Sequence, residues 1–299
     1  MDIFFNPFSI ARRIKRPLIL DGAIGSLLQS RGVPRDEYLW MSLANITHSD
    51  KVIEIHKDYI EAGADIITTN TFRTNPEAKK KYSTSINNVF VDLHGFVSKS
   101  VELARTAAAN TPVLIAGSNP PAEDCYQKEV KLTKHDYYWN HELHIKKLYL
   151  SGCHFILNET QSHLEEIEKI SSICSKEEIP FVMSLFFDDN YNLLSGESID
   201  EAIEVILHYN PLAIGFNCIR PETFLTFIAN RYFHFNWGTY LNCGSGELTD
   251  SDITTGITPD EYKRVIRQIL SYNPSFIGGC CGTTPAHIRK IKELLDERT

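Results

Sequence analysis

Two adjacent cysteines lie inside a glycine-rich turn, Gly278-Gly279-Cys280-Cys281-Gly282-Thr283, near the C-terminus of this 299-residue chain. Neighbouring cysteines seldom bond to each other, because the small ring so formed would force the intervening peptide out of its planar trans form. A metal ion accepts both thiolates without that distortion. Cys218, 62 residues earlier in Gly215-Phe216-Asn217-Cys218, closes another apolar run and offers a third sulfur. Three thiolates leave one position of a tetrahedral zinc open, which is the arrangement of catalytic rather than structural sites. Zinc, Zn2+, is the usual occupant of such thiolate-rich tetrahedral ligation.

The remaining cysteines read differently. Cys243 follows a strand end and could approach the metal, although a small core residue is the simpler reading; Cys125, Cys153 and Cys174 read as structural. Seven cysteines at irregular spacings do not make a disulfide framework and suit a reducing compartment, so the expected location is cytoplasmic. His141-Glu142-Leu143-His144 resembles a zinc-protease motif only superficially. That motif needs histidines at i and i+4, and here they stand at i and i+3.

Eight short apolar runs must position these residues: Leu18 to Gly22, Ala64 to Phe72, Val113 to Ser118, His154 to Thr160, Phe181 to Phe187, Leu212 to Cys218, His234 to Asn242 and Phe276 to Cys281. Helical signals separate them. Ser49 to Ala62 sets Val52, Ile55, Tyr59 and Ile60 near one face, and Ser198 to Tyr209 repeats the pattern. Thr258 to Ser271 and the segment from Thr284 to Leu295 each open on a capping threonine followed by proline. Alternating strands and helices imply parallel pairing, and near-continuous apolar strands imply cover on both faces. The expected fold is an α/β (β/α)8 TIM barrel in one domain spanning residues 1–299. A doubly wound sheet is the alternative, but Asp21-Gly22-Ala23-Ile24-Gly25-Ser26 lacks its Gly-rich phosphate turn. The polar, proline-bearing stretch Ser118 to Leu132 reads as a long loop after the third strand.

Barrel chemistry collects at the C-terminal ends of the strands, so the residues closing the runs form one constellation. They are Asp21, Asn70 and Thr71, Ser118 and Asn119, Glu159 and Thr160, Asn217 and Cys218, Asn242, and Cys280 with Cys281. Strands six and eight are one strand apart around a closed rim, so Cys218 can meet the other pair only if the barrel closes. Net charge of −8 argues against nucleic acid or an anionic membrane as partner, and no apolar stretch approaches the ~20 residues needed to span a bilayer.

Asp-Gly-Ala at 21–23, Thr-Asn-Thr-Phe at 69–72, Glu-Thr at 159–160, Gly-x-Asn-Cys at 215–218 and Gly-Gly-Cys-Cys-Gly-Thr at 278–283 together resemble the homocysteine S-methyltransferase family, from about Leu18 to Leu295. The resemblance implies a zinc-bearing barrel that methylates the sulfur of homocysteine to give methionine. Cys218, Cys280 and Cys281 would hold the zinc, and Asp21 and Glu159 the homocysteine amino group. Thr160, Asn70, Ser118 and Asn242 complete the candidate substrate-binding set. Coordination to zinc removes a thiol proton, and three anionic ligands keep the bound sulfur nucleophilic. The donor would be a small cation: a sulfonium such as S-methylmethionine or S-adenosylmethionine, or a quaternary ammonium such as betaine. Aromatic walls suit a cation, and Trp40, Phe72, Tyr126 and Trp237 are candidates. The segment Ala116 to Tyr126 departs from the Gly-Pro-Tyr-Gly-Ala stretch of S-methylmethionine users, which leaves the donor open. A homocysteine-activating module serving a separate corrinoid protein, and a non-catalytic zinc or thiol-binding barrel, are the alternative functions.

Overall fold

Eight strands, each hydrogen-bonded in parallel to the next in sequence, form the centre of the computed structural model, which describes residues 6–85, 93–247 and 252–298. They are β1 (Leu18–Ile19), β2 (Ile66–Thr68), β3 (Leu114–Asn119), β4 (Phe155–Gln161), β5 (Phe181–Leu185), β6 (Ala213–Asn217), β7 (Trp237–Leu241) and β8 (Phe276–Gly279). β8 pairs with β1, and a parallel bridge between Leu20 and Ile66 joins β1 to β2, so the sheet closes on itself. The eight-stranded barrel expected from the alternation is therefore the fold, and the doubly wound alternative is excluded.

Six strands lie inside their expected runs and are shorter, while β3 and β4 are as long as theirs but shifted one residue onward, to Asn119 and Gln161. Ala64 and Phe72, at the two ends of the second run, are apolar because they are buried or line a cavity, not because they join the ladder. Apolarity reports burial, whereas strand assignment needs paired backbone.

Side chains alternate across each strand. Leu20, Ile66, Ala116, Phe155, Leu157, Val182, Ala213, Tyr240 and Phe276 point into the barrel, while Ile19, Ile67, Ile115, Ile156, Met183, Ile214 and Ile277 pack outwards on the helices. Gly238 faces the ring of Phe276, where an added Cβ would lie 2.3 Å from it, so the interior keeps its bulk at Phe276 and its gap at Gly238. The N-terminal helix Pro7–Ile14, capped by Asn6 and opening on Pro7 but outside the expected elements, closes the bottom with Phe8. Its ring meets Phe155 and Phe276 at centroid distances of 5.5 and 5.3 Å. Replacing Phe8 with Ala should cost about 3–5 kcal/mol by leaving a void at the barrel floor, measurable as a lower urea midpoint at unchanged slope.

The helices follow their sequence signals. Ser49–Glu61 buries Val52, Ile55 and Tyr59, leaving Ile60 half-buried. Ile199–Leu207 and Pro259–Ile269 begin with reciprocal capping boxes, Ser198 with Glu201 and Thr258 with Glu261. Pro285–Asp296 starts after Thr284, with Pro285 in its first turn. Between β3 and the helix Lys134–Leu150, residues 120–133 form the expected loop. Among the described residues no helix is long and apolar enough to cross a membrane.

Candidate metal and substrate site

Inward alternation turns polar at the upper end of the barrel. Beyond Ile66, Ala116, Leu157 and Val182, two residues further along each strand, stand Thr68, Ser118, Glu159 and Ser184. Above this layer opens a cavity of about 790 Å³ whose lining includes Asp21, Thr68, Ser118, Glu159, Tyr240, Cys218, Cys280 and Cys281.

The three cysteines meet. Cys218 Sγ lies 2.8 Å from Cys280 Sγ and 3.5 Å from Cys281 Sγ, and all three sulfurs fall within 4.8 Å of one another. Sulfurs sharing a tetrahedral zinc at ~2.3 Å stand roughly 3.8 Å apart, inside that range. Charge points the same way. The S–H groups of Cys280 and Cys281 hold the Cys218 thiol well below its ordinary range, and the same bonds and burial push the other two up. A cation held among the three sulfurs would favour the ionised form of each. Among the described residues no other group of His, Cys, Asp or Glu converges in this way. Cys243 is fully buried and outside the group; its backbone instead ties the turn, donating to Cys281 O at 2.8 Å and accepting from Gly256 N at 2.7 Å.

Backbone conformation aims the sulfurs. Cys218 has φ +59°, in the left-handed region that a side chain enters at a cost of order 1–3 kcal/mol, and it follows immediately on β6. Gly282 has φ +75°, and an added Cβ would sit 2.5 Å from Gly244 N. Gly282→Ala should therefore displace the Cys280–Cys281 turn. The expected result is at least about tenfold weaker metal retention in a chelator competition, with the barrel's far-ultraviolet signal intact.

The two carboxylates expected to hold an amino group both line the cavity. Asp21 is buried and accepts from Thr68 N at 2.8 Å and Thr68 Oγ1 at 3.2 Å; burial raises its pKa well above the usual carboxylate range, against those bonds. Glu159 accepts from Ser118 Oγ, and burial pushes its pKa up to about 7. Ser118 thus borders the cavity and also orients Glu159. Thr160, at φ +59°, is fixed by Asn217, whose Oδ1 accepts from Thr160 N at 2.9 Å and whose Nδ2 donates to Thr160 Oγ1 at 2.8 Å.

Two candidates are engaged elsewhere. Asn70 Nδ2 donates to Met41 O at 2.9 Å and Asn45 Oδ1 at 3.2 Å, so its amide braces the neighbouring loop although the residue borders the cavity. Asn242 accepts from Gly244 N at 2.7 Å, closing a turn, and does not line the cavity. Of the aromatic candidates, Trp40, Phe72 and Tyr126 form cavity wall, with Trp40 and Phe72 edge to face at 6.3 Å. Trp237 does not: it is buried against Phe224 and Phe233 behind the barrel. Strand alternation was the available signal, since β7 turns Tyr240 inwards and so sends odd-numbered Trp237 out. By the same parity Tyr240 belongs to the site. Its buried hydroxyl lies at the cavity beside Glu159 and Ser184.

Comparison with known proteins places these features in a lineage. The Escherichia coli (strain K12) homocysteine S-methyltransferase is 27% identical over 314 residues, covering 92% of this chain and 94% of that one. The selenocysteine Se-methyltransferase of Brassica oleracea var. italica is 24% identical over 332 residues, covering 99% and 94%. The metallated form of the E. coli homocysteine methyltransferase MmuM has the same barrel, with a TM-score of 0.78 at 24% identity over 98% of this chain and 100% of that one. A family profile described as homocysteine S-methyltransferase matches residues 18–295, and the chain belongs to that family.

Proposed function

We propose that this protein transfers a methyl group from a small cationic donor, a sulfonium such as S-methylmethionine or S-adenosylmethionine, to the sulfur of homocysteine, giving methionine, with zinc held by Cys218, Cys280 and Cys281. The observation that carries the reading is the convergence of three thiols beside two desolvated carboxylates in one cavity. When bound, zinc supplies a Lewis acid that lowers the pKa of the substrate thiol so that its proton passes to solvent.

The chain's own residues supply alignment. Asp21 and Glu159, when ionised, pair with the ammonium of the amino acid and fix its sulfur end toward the cysteines. Tyr240 offers a hydroxyl to the same ligand. The aromatic faces of Trp40, Phe72 and Tyr126 favour an onium group opposite that sulfur. In the displacement, the bond from methyl carbon to donor sulfonium breaks with its electron pair leaving on the donor, and the bond to the homocysteine sulfur forms. Holding the two reactants in line is the main contribution of such a site. Three protein sulfurs with Cys243 excluded support an open rather than a closed metal site.

The deciding assay uses metal-analysed protein with homocysteine and, separately, S-methylmethionine, S-adenosylmethionine and betaine, with methionine detected by mass. Methionine formation with a sulfonium supports the reading. A zinc-loaded protein inactive with all three donors overturns it, and turnover only with betaine overturns the sulfonium assignment.

A further inference from the structure

The i, i+3 histidines that fail as a zinc motif have another role. Alternation sends Ser118 and Glu159 into the barrel, and their neighbours Asn119 and Asn158 outwards beneath the helices Lys134–Leu150 and Leu164–Lys176. There they meet His141, His144 and Glu166, all at most 2% exposed. Glu166 Oε1 accepts the Ala122 N–H at 2.7 Å and stands 2.7 Å from His141 Nε2, which therefore carries the proton. His141 Nδ1 is then the acceptor for Asn119 Nδ2 at 3.1 Å, an amide that also donates to Asn158 Oδ1 at 2.8 Å. Asn119 Oδ1 stands 2.8 Å from His144 Nδ1, and His144 Nε2 stands 2.9 Å from Thr74 Oγ1, a hydroxyl that also bonds Thr71 O at 3.1 Å. The contacts run without a break from Thr74 to Glu166 and on to the Ala122 N–H.

The two ends of this chain sit in two loops. Thr74 follows β2 and Ala122 follows β3, and the same loops carry Phe72, Arg73, Asp124, Tyr126 and Gln127 into the cavity wall. Across the mouth Arg73 joins them, pairing with Asp124 at 3.3 Å and donating to Glu123 O at 3.2 Å. The carboxylates and sulfurs stand instead on strand ends and the turn after β8, held by the barrel ladder.

We propose that this buried chain is the positioning device for the methyl-donor side of the cavity, with His141 and His144 as positioning residues that never touch substrate. The inference rests on the function proposed above. A buried polar chain broken at one link leaves its other members unsatisfied, so the two loops should loosen together. Misplacing a reactant by about an ångström costs up to ~10²-fold in rate.

The test uses the zinc-loaded, full-length protein carrying His141→Leu, His144→Leu, or the amide variants His141→Gln and His144→Gln, which can both donate and accept. Expected for the Leu variants is a rise of roughly tenfold in the KM for a sulfonium donor and a fall in kcat, with the KM for homocysteine within about twofold and zinc content unchanged. The Gln variants should recover most of the loss. Hydrogen exchange should speed up at residues 71–75 and 120–127 but not in the strands. Should a Leu variant fail to fold, Thr74→Val removes only the terminal hydroxyl and should produce the same donor-specific rise. A wild-type protein that turns over, with variants whose donor KM is unchanged or whose two KM values rise alike, overturns the positioning role alone. No wild-type turnover with any donor overturns the functional reading beneath it.

Discussion

Cys281→Ala should yield a folded barrel that has lost its metal and its turnover together. Cys281 is half-buried in the turn after β8, outside the strand ladder, so removing its sulfur costs the fold about 1 kcal/mol and leaves the eight-stranded pairing untouched. Its effect on the site is far larger. Two remaining thiols do not make the three-sulfur set, and without zinc the homocysteine thiol keeps an ordinary pKa of about 8.5, mostly protonated at neutral pH. Activity should fall at least ~10³-fold, equivalent to about 4 kcal/mol of lost transition-state stabilisation. Elemental analysis of purified protein should find zinc near one equivalent in the wild type and close to none in the variant. Cys243→Ala is the matched control: it removes a fully buried sulfur outside the cluster and should lower thermal stability while keeping the zinc. A metal-free Cys281→Ala that turns over at the wild-type rate would sink the proposed mechanism, and loss of zinc from Cys243→Ala would place a fourth sulfur at the site.

The barrel was legible because its signal repeats. Eight apolar runs with intervening helical periods leave one closed parallel solution, and the residue closing each run predicts the rim. The sulfurs were legible for a different reason: adjacent cysteines between glycines have few other uses. Parity was harder to read. Each run locates a strand, but which residues face inwards depends on register, and one step separates Tyr240 in the cavity from Leu241 in the outer core. Trp237 was misassigned for that reason. Asn70 and Asn242 were less accessible still, since an amide at a strand end can face a ligand or tie its own turn, and only the positions of Met41 O and Gly244 N decide between these. The Thr74 to Glu166 chain was hidden altogether, because its members come from two loops, two strands and two helices that meet only after the barrel closes.

Glu159→Gln should make the protein a poorer enzyme and a more stable fold, with both effects depending on pH. The Glu159 carboxyl is held at about 7 chiefly by burial, against a value of 4.5 when free. Between those values the folded chain binds more protons than the unfolded one. Stability from this group therefore falls as pH rises from about 4.5 to about 7, then levels off. The substituted amide cannot ionise, so the variant should lack that slope and exceed the wild type in urea midpoint above pH 7. Substrate reverses the preference. An ammonium binds the ionised carboxylate, so kcat/KM for homocysteine should fall by up to about tenfold per pH unit as pH drops below 7, where Glu159 takes up a proton. Glu159→Gln should lower kcat/KM by about 10²-fold at pH 8, within the range for removing one partner of a buried charge pair, and should flatten the acid limb. Asp21, which also lines the cavity, would remain as a second carboxyl for the ammonium in the variant. An acid limb that survives Glu159→Gln unchanged would assign it to another group, such as the substrate thiol releasing its proton. A residue that only braces the cavity would lose activity and stability together, so the opposite signs of the two measurements identify a carboxylate kept at a cost to the fold for the ligand it receives.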